Sequence, residues 1–193
     1  ELLQKFDLPG DDECPDLYPL TADDGRTLWV YSGAHDMYFV GDFDENGLYQ
    51  PIQSVGQLSY NSQSYAAQTY YYEPGKPVIR FAWNRSDIPG APFNGSMCTP
   101  TEMTLKKHGD RYYLSALPIK STENLVVKSD KLDDFTLTHC THELGSKTCR
   151  ISFTVKEGDL TCNLYGLEMK LDKNGLTCGE SILPRLKNEP MKV

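Results

Sequence analysis

No stretch of this 193-residue sequence is apolar for the roughly 20 residues that a membrane-spanning helix needs, so no membrane partner is expected. No basic, then apolar, then small-residue start reads as a secretory signal. The chain opens on Glu1 rather than Met, which carries the expectation that it begins after a removed segment. Secreted and cytoplasmic origins both remain compatible. Positive charge is scarce: 19 Lys and Arg stand against 27 Asp and Glu, for a net charge of −8. With no basic patch to neutralise phosphates, a nucleic-acid partner is not expected. Paired CxxC spacing is missing as well. The six cysteines are Cys14, Cys98, Cys140, Cys149, Cys162 and Cys178, and no two of them make a zinc-ribbon or thioredoxin-like motif. For the last four, which fall on alternating β patterns, free, buried thiols are the expectation, with pairing the alternative in a secreted protein. There is no GxSxG and no glycine-rich phosphate loop ahead of a helix, which leaves serine hydrolases and nucleotide enzymes without support. Nor does any window hold a 3.6-residue apolar period over three turns.

What is present is β-sequence. Twelve Tyr, seven Phe and two Trp are spread through segments rich in β-branched residues. TLWVYSGA (27–34), MYFVGDFD (37–44), SYAAQTYYY (64–72) and PVIRFAWN (77–84) read as strands, separated by Gly, Pro, Asn and Asp clusters. TEMTLKK (101–107) and RYYLSALPI (111–119) flank His108-Gly109-Asp110 and read as a hairpin. The charged stretch KSTENLVVKSDKLDD (120–134) reads as a boundary. Beyond it Ile151, Phe153 and Val155, then Leu160, Cys162 and Leu164, then Leu167, Met169 and Leu171 alternate with polar residues, as on sheets with one buried face. Asp172-Lys173-Asn174-Gly175 reads as a hairpin turn, and the closing PMKV shows no clear final strand.

Several local patterns have an ordinary reading. Asp42-Phe43-Asp44-Glu45-Asn46-Gly47 imitates a calcium loop, but Gln53 stands where the bidentate Glu belongs, so a turn is expected. Asn84-Arg85-Ser86 and Asn94-Gly95-Ser96 are formal glycosylation acceptors that read as loop asparagines. His35, His108, His139 and His142 share no ligand spacing. No metal and no cofactor is expected.

Glu13, in GDDECPDLYPL (10–20), is different. Cys14-Pro15 follows it, then Leu17, Tyr18 and Leu20. Apolar surroundings of this kind suit a general acid. Glu13-Cys14-Pro15-Asp16 resembles the Glu-Cys-Pro-Asp acid/base motif of glycoside hydrolase family 32, the invertase, levanase and inulinase group. Three further segments resemble the same family in order: Tyr38 to Asp44, Tyr65-Ala66-Ala67-Gln68-Thr69, and Ala82-Trp83 with Gly95-Ser96-Met97, Pro100 and Glu102 to Leu105.

The resemblance implies an all-β chain: the last blades of a five-bladed β-propeller over residues 1–128, then a partial β-sandwich over 129–193. It implies retaining hydrolysis of fructosyl bonds, with Glu13 as acid/base and with Cys14, Asp16, Tyr65 and Trp83 binding a sucrose- or fructan-like carbohydrate. The family's Asn-Asp-Pro-Asn nucleophile motif and its Arg-Asp-Pro motif are absent from these residues. Asp11 is a poor substitute: on one strand it would lie beside Glu13, about 6.5–7 Å away, rather than across a sugar from it. Asp12 stands where the family has Trp, Ser59 to Ser64 replace an acidic segment, and Thr101 stands where the family has Arg. The expectation is a chain inactive alone, completed by a second chain or a missing segment. A carbohydrate-binding module using Trp29, Trp83 and the tyrosines is the first alternative. An assembly subunit or homo-oligomer joined through strand edges is the second.

Overall fold

The computed structural model describes residues 2–70, 73–131, 141–143, 149–184 and 191–192, the last two by backbone alone. The chain forms two compact units, Glu1–Leu125 and Val126–Val193. All its sheets are antiparallel, and a 3₁₀ turn at Lys120–Leu125 is the helical segment among the described residues. Among the described residues, no helix is long and apolar enough to cross a membrane.

The first unit holds two sheets. One contains β1 (Asp16–Thr21), β2 (Thr27–Ser32), β3 (Met37–Phe43) and β4 (Tyr49–Pro51) in sequential order, with β5 (Gly56–Gln57) also on β3. The other contains β6 (Ser64–Thr69), β7 (Ile79–Asn84), β8 (Ser96–Met97), β9 (Thr101–His108) and β10 (Arg111–Pro118). Its order is β6-β7-β9-β10, with β8 also on β7. The hairpin expected around residue 109 is present: Gly109, at φ 59°, turns β9 into β10 in full register from His108–Arg111 to Thr101–Pro118. The calcium-like segment closes on itself, since Asp44 Oδ1 accepts the Asn46 and Leu48 N–H groups, each at 2.9 Å. Strand β1 was not expected from its acidic, proline-bearing sequence. It is an edge strand, pairing with β2, and an edge tolerates Pro19, which has no N–H to give.

Alternation along β2 and β3 sends Leu28, Val30, Tyr38 and Val40 into one core, where they meet Met103, Leu105, Tyr112 and Leu114 of the second sheet. Each such buried side chain contributes on the order of 1.5–3 kcal/mol. The polar links across the same seam add about 1 kcal/mol each. The Gln53 amide pairs both ways with the Tyr112 backbone at 2.7 and 2.8 Å, and the Tyr38 hydroxyl accepts the Leu114 N–H at 3.2 Å. Apolar burial therefore holds the sheets together, and the hydrogen bonds fix which residues face each other. One link is ionic. Arg80 on β7 reaches Asp36, in the β2–β3 connection, with Nε at 3.0 Å from Oδ1 and the terminal nitrogen at 2.6 Å from both carboxylate oxygens. Burial pushes the Asp36 carboxyl above its usual range even though Arg80 pulls it down.

In the second unit β12 (Leu160–Leu164), β13 (Leu167–Leu171), β14 (Gly175–Cys178) and β15 (Ser181–Pro184) form a four-stranded meander, and β11 (Thr154–Val155) pairs with β16 (Met191–Lys192). The alternation read from residue 151 yields a strand at Thr154–Val155 alone, with Ile151 exposed. The expectation of no closing strand is corrected: Met191–Lys192 forms one. The Asp172 turn is present, its Oδ1 accepting the Asn174 and Gly175 N–H groups at 2.6 and 3.2 Å. The described cysteines are free, and those expected to be buried, Cys149, Cys162 and Cys178, are not. Cys14, Cys98, Cys162 and Cys178 are half-buried, Cys149 is exposed, and Cys140 lies outside the described residues, as does His139. Cys162 and Cys178 flank Met169 on either side of β13. Two strand spacings, about 10 Å, then separate them, which is beyond disulfide reach.

Candidate active site

Glu13 lies just before β1 and Tyr65 near the start of β6. These are the first strands of the two sheets and they pack near one another, so the turn ahead of β1 meets β6 itself. There the Tyr65 hydroxyl donates a hydrogen bond to Glu13 Oε2. That bond to a carboxylate raises the Tyr65 phenol above its ordinary range. Trp83, paired with Tyr65 across the β6–β7 ladder, places its ring 6.4 Å from the Tyr65 ring and is partly exposed. Buried Gly95 backs this indole: a Cβ there would sit 2.2 Å from Trp83 Nε1.

Backbone geometry sets the Glu13 carboxyl. Cys14 has φ 49°, an uncommon value for a residue with a side chain, which costs on the order of 1–3 kcal/mol. Two bonds hold the turn in place. Gln68 Nε2 donates to the Cys14 carbonyl at 2.8 Å, and the Ala34 N–H donates to the Glu13 carbonyl at 3.0 Å. Asp16 Oδ2 accepts the Thr69 N–H at 2.6 Å, pinning β1 to the end of β6. A bulge between Tyr65 and Gln68, with Ala66 at φ 50°, lets both side chains reach the Glu13–Cys14 turn. Asn61 starts β6 by accepting the Gln63 and Ser64 N–H groups at 2.9 Å.

Of the residues expected at the site, Glu13 and Tyr65 are in direct contact, Trp83 stands beside Tyr65, and Cys14 and Asp16 reach β6 through the backbone carbonyl of Cys14 and the carboxylate of Asp16. Asp11 is not beside Glu13 on a strand. Its side chain is fully buried, with Oδ2 accepting the His35 N–H at 2.7 Å and Oδ1 lying 3.1 Å from His35 Nδ1. A carboxylate so committed is poorly placed to attack a substrate. Sequence reasoning did not assign His35, Arg85 or Gln68 to this site. Their contacts span long separations, and Gln68 alone carried a signal, as part of the Tyr-Ala-Ala-Gln-Thr segment. A cleft of about 330 Å³ opens at Glu13 itself, with Asp11, Asp12, Pro15, Tyr31 and Ser32 also in its lining. Among the described residues, no group of three or more His, Cys, Asp or Glu is arranged to hold a metal.

Glu13 and Tyr65 thus meet where the first strands of two antiparallel sheets come together. Residues 4–116 match the family described as "Glycosyl hydrolases family 32 N-terminal domain", and the chain belongs to that family of glycosidases. It is 27% identical to the levanbiose-producing levanase of Bacillus subtilis (strain 168) over 179 residues, which is 82% of this chain and 33% of that protein. It is 29% identical to a fructan beta-fructosidase of Streptococcus mutans over 139 residues, 58% of this chain and 10% of that one. The chain thus spans a third or less of these curated relatives. Among solved structures, an exo-inulinase from Aspergillus awamori superposes with a TM-score of 0.53 at 21% identity, covering 78% of this chain and 32% of its own. A fructofuranosidase from Schwanniomyces occidentalis gives 0.51 at 16% identity, covering 93% and 45%. This likeness is one of fold, and it fits a β-propeller.

Proposed function

We propose that these residues supply the acid/base half of a retaining enzyme that cleaves fructosyl bonds, with Glu13 as general acid/base and the nucleophilic carboxylate outside the 193 residues. In this reading the two sheets of the first unit are consecutive blades of a five-bladed propeller occupying residues 1–128, and residues 129–193 belong to a β-sandwich. The observation that carries the reading is the hydrogen bond from Tyr65 to Glu13, in a domain whose relatives are named for levan, fructan and inulin. The nucleophile attacks the anomeric carbon while Glu13 protonates the departing oxygen. Glu13 then takes a proton from the water that releases the sugar. Retention places the two carboxyls about 5–5.5 Å apart. Tyr65 and Trp83 offer aromatic faces to the sugar, Asp16 keeps Oδ1 for a hydroxyl, and half-buried Cys14 shapes the wall beside Glu13.

The natural gene product containing these residues is expected to hydrolyse sucrose, levan or inulin, and Glu13→Gln to lower kcat by about 10²–10⁴-fold. The 193-residue chain alone is expected to turn over none of them, since the covalent step needs its nucleophile. Turnover by the isolated chain, lost in Glu13→Gln, would overturn the placement of the nucleophile. Partly exposed Trp83 favours a second reading, carbohydrate binding without chemistry. Saturable binding of a fructan in calorimetry, unchanged by Glu13→Gln and without hydrolysis by the gene product, would establish it.

A further inference from the structure

The Tyr65 ring is held on more than one side. Arg85 lies over it, with Cζ 4.3 Å from the ring centroid, and is itself fixed by bonds to the Ser62 and Gln63 carbonyls at 2.6 and 2.9 Å. The His35 ring meets it edge-on, with centroids 4.8 Å apart. His35 sits in the short β2–β3 connection, where an exposed side chain would ordinarily sample several rotamers. Here it is tethered twice to one buried carboxylate: Asp11 accepts its backbone N–H and faces its Nδ1. Gly33, in the same connection, leaves room for that carboxylate, since a Cβ there would lie 2.5 Å from Asp11 Cγ. The next residue, Asp36, is locked to Arg80, and Arg80 also donates to Ser64 Oγ at 3.1 Å, one residue before Tyr65. A continuous set of contacts therefore runs from buried Asp11 through His35 and Tyr65 to Glu13.

We infer that His35 is a positioning residue for the acid/base: tethered by Asp11, its ring holds the Tyr65 phenol in line with the Glu13 carboxyl. The inference rests on the reading of Glu13 as general acid. Without the ring, Tyr65 gains freedom on one side, and the hydrogen bond that orients Glu13 is made for a smaller fraction of the time. The effect falls on proton delivery to the leaving oxygen rather than on sugar binding. Misplacement of a catalytic group by about 1 Å costs on the order of 10²-fold, and partial loosening costs less.

The test uses the natural gene product and two substrates. Sucrose has a leaving group that must be protonated. A p-nitrophenyl fructofuranoside has one that departs as a stabilised anion. His35→Ala is expected to lower kcat on sucrose about 10-fold or more, with KM changed less than about 2-fold and the aryl fructoside nearly unaffected. His35→Phe, which keeps a ring edge for Tyr65, is expected to recover part of the loss on sucrose. Equal losses on both substrates, no loss on either, or a rise in KM alone would overturn the inference. Glu13→Gln is the internal reference. If it is selective against sucrose while His35→Ala is not, the positioning role fails and the acid/base reading stands. If Glu13→Gln itself shows no selectivity, the acid/base reading fails and the inference with it.

Discussion

The strands of the two units carry the same kind of pattern but bury it differently. Leu28 and Val30 on β2 alternate with polar or outward residues and are fully buried. Leu160, Cys162 and Leu164 on β12 alternate just as regularly and are half-buried. Among the described residues of Val126–Val193, Leu171 is the buried large hydrophobic. In the first unit the face of β2 and β3 that carries Leu28, Val30, Tyr38 and Val40 meets a second sheet, whereas the described β12–β15 meander contributes a single layer. Alternation specifies which face of a strand is apolar. It does not specify what covers that face, and burial depends on the cover.

The comparison can be broken at its most specific point, the Asp36–Arg80 pair. Asp36→Ala leaves a buried guanidinium without its partner and is expected to cost about 3–5 kcal/mol in urea unfolding of the first unit. A loss below 1 kcal/mol would mean that apolar packing alone sets how the two sheets meet. The next largest contrast lies between Leu28→Ala and Leu171→Ala. Both are near-complete burials, in the range of about 2–5 kcal/mol, with Leu28 expected toward the upper end because a two-sheet core relaxes least around a cavity. Equal losses would remove the distinction between the units.

The smallest effect is one of pH. The native Asp36 carboxyl titrates above its unfolded value, so the native state holds its proton more tightly than the unfolded chain does. Its contribution is fully present below the unfolded value and is lost as pH rises through the native one. Asp24 has the opposite sign: the Arg26 N–H, the Tyr112 hydroxyl and Lys107 lower it, so its contribution is present above the unfolded value and lost as pH falls. Stability measured against pH in Asp36→Asn should lose the first slope and keep the second. An unchanged profile would contradict this assignment.

The strands of the first unit were legible where aromatic and β-branched residues ran between turn formers, as in 27–32, 37–43 and 101–118. Strand β1 was not legible, because Asp16 and Pro19 suit a loop in every local sense and become a strand through pairing with β2. At the site, Glu13, Tyr65 and Trp83 stood out by motif. His35 and Asp11 did not, since their role comes from a contact 24 residues apart in sequence and from a buried carboxylate that resembles any other acid in an acidic loop. Arg85 read as part of a glycosylation acceptor, and only the folded β6–β7 pair brings it over Tyr65.

The bulge in β6 also has a consequence for how this region tolerates change. Tyr65 opposes Trp83 and Gln68 opposes Phe81, so one extra residue on β6 shifts the parity of everything after it. That shift is what allows a phenol and an amide three positions apart to grip two successive residues, Glu13 and Cys14. Substitutions along β6 alter one grip at a time. Deleting Ala66 or Ala67 would leave Tyr65 and Gln68 two positions apart on a regular strand, still on one face, so it would remove the left-handed kink at Ala66 without reversing either grip.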